Sequence, residues 1–200
     1  MQLYYTSVSP YARKVRTLAN ILNIENLELI RINPMTDEHF RSINPLGKVP
    51  ALVDGDMVLQ DSTLICEYLD DKSSAAGGKS VYRRNTPHFY TEQKSHALAN
   101  GIMDAAVSTM MELRRKDAEH SGYWLERWHV AMIHALKSVQ LDTLGDGDNP
   151  NMGTIATVCA LGYLDFRLPP LNWRECNPQL RNWYEMIEIQ PWVQATAPQE

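Results

Sequence analysis

Asn44-Pro45-Leu46-Gly47-Lys48-Val49-Pro50 runs into Ala51-Leu52-Val53, Asp54-Gly55-Asp56, Met57-Val58-Leu59 and Gln60-Asp61-Ser62-Thr63. Two prolines and a glycine within seven residues rule out a regular element over 44–50. The apolar triplets on either side of Asp54-Gly55-Asp56 predict a β-hairpin, because Asp-Gly tolerates the backbone of a tight two-strand turn. Asp61 or Ser62 then caps a helix that reaches Leu69, with Leu64, Ile65, Tyr68 and Leu69 as its apolar residues.

Working outward from this stretch, residues 3–5 form a strand rich in aromatics, and Pro10 sits where a helix starts, with Ser9 as its N-cap. Val15, Leu18, Ala19 and Leu22 follow at helical spacing. Residues 27–32 read as a second strand and 36–42 as a short polar helix or loop. The order βαβ, an irregular piece, then ββα is that of a thioredoxin-like domain. Residues 70–80 show no period and read as a linker. Beyond residue 87 the chain is helical: 89–116, 123–144, then 155–168 capped by Thr154 and stopped by Pro169-Pro170, and finally 178–189. The expected fold class is therefore α/β plus all-α, with a thioredoxin-like domain over 1–75 and an all-helical domain over 86–200.

The composition is globular, with 44% hydrophobic and 22% charged residues in a chain of 200, so bulk disorder is excluded. A formal charge of -5 lacks the basic footprint of a general nucleic-acid binder. No stretch approaches the roughly 18 apolar residues of a membrane span. Nothing at the N-terminus reads as a signal peptide. Three scattered cysteines, Cys66, Cys159 and Cys176, do not make a disulfide framework, and the expected compartment is the cytoplasm. Cys66 and Cys159 read as small core residues. His129 and His134 are five apart, on different helix faces, so no metal is expected.

Four segments in order carry a resemblance: Ser9-Pro10-Tyr11-Ala12-Arg13-Lys14-Val15-Arg16, the 44–50 segment, Gln60-Asp61-Ser62-Thr63 with Glu67-Tyr68-Leu69, and the helix opened by Thr154. Together they resemble a cytosolic glutathione transferase over nearly the whole chain, from Leu3 to Trp192. Ala99-Asn100-Gly101-Ile102-Met103-Asp104-Ala105 and residues 159–167 look most like the YibF-like bacterial branch.

The resemblance implies a homodimeric detoxification enzyme with no permanently bound cofactor and glutathione as co-substrate. It would activate the thiol as a thiolate and conjugate it to small hydrophobic electrophiles bound on the helical domain. A glutathione-dependent peroxidase or disulfide reductase on the same site, or a non-catalytic binding protein of this fold, are the alternatives.

By resemblance, Val49 pairs its backbone with the cysteinyl unit and precedes a cis Pro50. Lys48 meets the glycyl carboxylate or the cysteinyl carbonyl, or is a solvated turn lysine. Ser62 holds the γ-glutamyl carboxylate, and Asp61 accepts from the ammonium. Ser9 aligns with the catalytic serine of serine-type members, although a plain N-cap reads the same. Ser7 and Tyr5 are held in reserve for the thiolate. With serine rather than cysteine at position 9, a mixed-disulfide mechanism lacks its protein thiolate. Asp104, sharing a helix face with Asn100, is the candidate for a γ-glutamyl contact across the dimer, against an ordinary salt bridge or hydrogen bond. Arg13, Lys14 and Arg16 read as a solvated helix face, and Met103, Met110 and Met111 as core. The family's Ser/Thr-x-x-Asp capping box ends here in Thr157, so Thr154 is expected to cap without a reciprocal carboxylate.

Overall fold

The computed structural model describes residues 1–200 as two compact units, one of residues 1–82 with 194–200 and one of residues 83–193. The first unit contains β1 (Gln2–Tyr5), α1 (Pro10–Ile21), β2 (Glu28–Arg31), α2 (Phe40–Ile43), β3 (Ala51–Asp54), β4 (Met57–Gln60) and α3 (Ser62–Ala75). Its sheet has the order β2-β1-β3-β4. β1 runs parallel to β2 and antiparallel to β3, and β3 pairs antiparallel with β4. This is the thioredoxin-like βαβαββα unit the spacing implied.

Leu3, paired to both Leu29 and Leu52, is fully buried with Leu52, Val15 and Leu18, so the stripe on α1 and the inner strands form one core. Phe40 of α2 is buried and lies 5.7 Å from the Tyr4 ring of β1. The hairpin turn takes two residues, Gly55 and Asp56, between the Asp54↔Met57 pair. Gly55, at φ +60°, fills the first loop position, where a two-residue hairpin needs a positive φ.

α3 continues six residues past Leu69 into the stretch read as a linker, and closes at Gly77 (φ +78°). The missing period has a physical reason: Asp70 is buried because its carboxylate accepts from the Val81 N–H and the Ser80 hydroxyl, each at 2.7 Å. A polar residue thus occupies an inward position.

The second unit contains α4 (Phe89–Leu113), α5 (Gly122–Lys137), α6 (Met152–Arg167), α7 (Trp173–Cys176) and α8 (Pro178–Ile187), and α9 (Pro191–Gln194) leads out of it. α4 packs on α5 and α6. Every residue of α6 from Met152 to Leu164 is buried, which makes it the central helix. No helix is long and apolar enough to cross a membrane.

Asn151, not Thr154, caps α6. Its side chain accepts from the Thr154 N–H at 2.9 Å, while the Thr154 hydroxyl accepts from the Asn151 N–H at 3.2 Å. The capping box is complete one turn earlier than the motif suggested, so the missing carboxylate at Thr157 leaves no gap.

Candidate functional site

Strand register gathers the expected site residues of the first unit at one end of the sheet; Asp104 lies on α4 of the second unit. Tyr4 of β1 faces Ala51 of β3, which faces Gln60 of β4. β1 therefore ends, β3 begins and β4 ends at the same edge. The segment Tyr5–Ser9 leaves β1 there, Lys48-Val49-Pro50 enters β3 there, and Asp61-Ser62 leaves β4 there. Carboxyl ends of strands followed by helix N-termini are where open α/β sheets bind ligands.

At the first helix, Ser9 is the N-cap in extended conformation (φ -77°, ψ 121°), and its Oγ accepts from the Ala12 N–H at 3.2 Å. Pro10 occupies N1, where its missing N–H costs nothing. Capping uses the Ser9 oxygen as an acceptor, which leaves the hydroxyl proton to donate to an anion at the helix start. The plain-cap reading of Ser9 is realised, and it is chemically compatible with the other. Ser7 lies in the turn between β1 and α1, half-buried. Tyr5 ends β1, with the Arg16 guanidinium 4.7 Å from its ring centroid.

At the third helix, Asp61 is the N-cap, its Oδ1 accepting from the N–H groups of Thr63 at 2.7 Å and Leu64 at 3.3 Å. Its φ of +77° is an outlier for a residue with a side chain, and such strain gathers at functional sites. Ser62, at N1, is buried.

Between these helix starts the Val49-Pro50 bond is cis, as expected. The β3 ladder opens at Ala51, so Val49 lies just outside it. The turn before it is fixed by the buried Asn44, which donates to the Lys48 carbonyl at 2.6 Å and accepts from the Leu46 N–H at 3.1 Å. Gly47, at φ +60°, has the Arg41 guanidinium 2.8 Å from where a Cβ would stand. The Lys48 side chain is exposed.

One reading of the first helix fails. Arg13 and Lys14 are buried, at 4% and 0% exposure, so this is no solvated face. Lys14 stands four residues before Leu18, in line with the apolar stripe, and that spacing was the available signal. Met103 and Cys159 are core residues, as is Cys66 in the first unit, and no cysteines are joined in a disulfide. Met111, by contrast, is exposed. Trp173 is also core, donating from Nε1 to Asp165 Oδ1 at 2.6 Å and meeting Tyr184 edge-on. Asp104 is exposed on α4 and Asn100 half-buried.

A thioredoxin-like unit with two capped helix N-termini and a cis proline at one sheet end, together with an all-helical unit, is the glutathione transferase fold. Residues 3–77 match the family described as glutathione S-transferase, N-terminal domain. The chain is 33% identical over 186 residues to the GST-like protein YibF of Escherichia coli K12, covering 90% of each. A glutathione transferase family member from Pseudomonas fluorescens Pf-5, solved with bound glutathione, superposes with a TM-score of 0.90 at 34% identity, over 100% of this chain and 99% of that one. A glutathione S-transferase from Methylobacillus flagellatus KT, also with glutathione bound, gives 0.89 at 29% identity over 99% of each chain. The chain belongs to the glutathione transferase superfamily.

Proposed function

We propose that this protein is a glutathione transferase of the serine type, which binds glutathione at the sheet end described above and conjugates it as the thiolate to a small hydrophobic electrophile. The observation that carries the reading is the register Tyr4↔Ala51↔Gln60, which brings the hydroxyl-capped start of α1, the segment that enters β3 and the start of α3 to one end of the sheet. Relatives solved with glutathione bound support it.

In this reading the Ser62 hydroxyl and the first N–H groups of α3 take the γ-glutamyl carboxylate, as helix starts take anions. Asp61 accepts from the ammonium, and its Oδ1 continues to cap. Val49 pairs with the cysteinyl backbone as an added strand does. Lys48, on its exposed turn, takes the glycyl carboxylate. Ser9 donates to the sulfur.

A thiol that titrates near 8.5 in water is then largely ionised at neutral pH. Its proton goes to solvent, the sulfur lone pair forms the new C–S bond, and the leaving group departs with the electrons of the bond that breaks. We assign the electrophile to the helical unit, the protein to the cytoplasm, and the assembly to a homodimer in which Asp104 of α4 reaches a γ-glutamyl group across the interface.

Calorimetric titration of glutathione into the wild type and Ser62→Ala tests the binding step. Saturable binding by the wild type, weakened about tenfold or more in Ser62→Ala, is expected when a charge-assisted hydrogen bond is removed. A wild type that binds no glutathione would overturn the reading.

A further inference from the structure

Three polar groups converge on Thr63, the residue that follows Ser62 in α3. Its N–H donates to Asp61 Oδ1 at 2.7 Å. The Lys14 ammonium of α1 reaches its Oγ1 at 3.5 Å, and the Tyr82 hydroxyl donates to its carbonyl at 3.3 Å. Lys14 and Tyr82 are the two largest fully buried side chains of the protein, each at 0% exposure. Both aim their polar ends at the first turn of one helix, from opposite ends of the unit's chain.

Burying an ammonium and a phenol is costly unless each finds partners, and a pair with matched geometry fixes the groups it joins. Apolar side chains of similar volume would fill the same space without that directional hold. Here the hold falls on the residue immediately after Ser62, and it links α3 to the helix that starts at Ser9.

We propose that Thr63, held by Lys14 and Tyr82, is the positioning residue that sets the first turn of α3, and so the Asp61-Ser62 pair, for the γ-glutamyl end of glutathione. The inference rests on the glutathione site proposed above. Thr63 itself contacts no substrate; it acts through its neighbours. Its loss moves recognition of the γ-glutamyl unit and spares the cysteinylglycine half, whose anchors lie on the 44–50 turn and at Ser9.

The test compares glutathione with cysteinylglycine, which lacks the γ-glutamyl unit, as thiol substrates for the wild type, Thr63→Val and Thr63→Ser, with kcat and KM taken separately. Thr63→Val keeps the shape and removes the hydroxyl; Thr63→Ser keeps the hydroxyl. The expected result is a KM for glutathione raised on the order of tenfold in Thr63→Val with kcat and cysteinylglycine kinetics unchanged, and a return to within about twofold of wild type in Thr63→Ser. Equal losses for both thiols, an unaffected Thr63→Val, or a Thr63→Ser as impaired as Thr63→Val would each overturn the proposal. A wild type that does not distinguish the two thiols would instead overturn the γ-glutamyl assignment of Asp61 and Ser62 on which it rests.

Discussion

Glu92, in the first turn of α4, is 5% exposed with the Arg83 guanidinium 3.4 Å from its Oε1. Burial raises its carboxyl above the ordinary value of 4.5, against the lowering effects of Arg83 and of a hydrogen bond from Asn151. A raised native pKa means that the folded protein holds the proton more tightly than the unfolded chain. The stability it contributes is full below the unfolded pKa and is lost as pH rises through the native one.

Melting temperatures of the wild type and Glu92→Gln between about pH 4 and pH 7 check this. The wild type should lose stability relative to the variant as pH rises, and a relative gain would mean that Arg83 outweighs burial. The same scale shows where the sequence was opaque. Glu92 and Lys14 are charged residues on inward faces, and residue type alone assigns such residues to solvent. Lys14 was recoverable from its spacing to Leu18. The φ of +77° at Asp61 left no mark in composition at all.

Among the elements, strands and helix starts were legible where local chemistry decides them. Pro10 after Ser9, the glycine-containing turn before Met57 and the apolar triplets around it predict what the chain does. Two helix boundaries were not, one held by partners beyond the helix and one by a capping box with threonine in place of the usual acidic or amide residue. α3 outruns its apolar period because Asp70 is tied to Ser80 and Val81, and α6 starts one turn early because Asn151 and Thr154 satisfy each other.

Thr154 is the firmer test of the second case. Its buried Oγ1 also accepts from the Gly145 N–H at 2.7 Å, so it pins the preceding loop as well as the helix. Thr154→Val leaves the Asn151 cap in place but should cost about 2–4 kcal/mol in urea unfolding, because the N–H groups of Asn151 and Gly145 both lose their acceptor. Thr157→Asp, which restores the carboxylate of the common motif, should destabilise, since Thr157 is 2% exposed and a lone charge there is costly. A stabilising Thr157→Asp would return the cap to Thr154.

At the scale of the molecule, the division into a thioredoxin-like and a helical part was readable from the change of period near residue 87. The last segment was not. Residues 194–200, which sequence order groups with the helices, cluster with the first unit. Thr196, 1% exposed, has its hydroxyl 2.8 Å from that of the equally buried Thr17 on α1, and Arg31 of β2 donates to the Glu200 carbonyl at 3.3 Å. Deleting residues 195–200 strands the Thr17 hydroxyl in the first unit's interior. A loss of about 1–3 kcal/mol, read by chemical denaturation, is expected; unchanged stability would mean the tail is dispensable.

In the proposed function Ser9 serves both as the cap of α1 and as the donor that keeps glutathione ionised. Ultraviolet titration of the bound thiolate in the wild type, Ser9→Ala and Ser9→Gly measures it. Glycine retains most of the capping stability that alanine loses, about 1 kcal/mol, so Ser9→Gly separates folding from chemistry. A wild-type thiolate present at neutral pH, and lost in both variants while glutathione still binds, is the predicted result. Equal thiolate in all three would contradict it and leave the sulfur to Ser7, Tyr5 or the helix N-terminus alone.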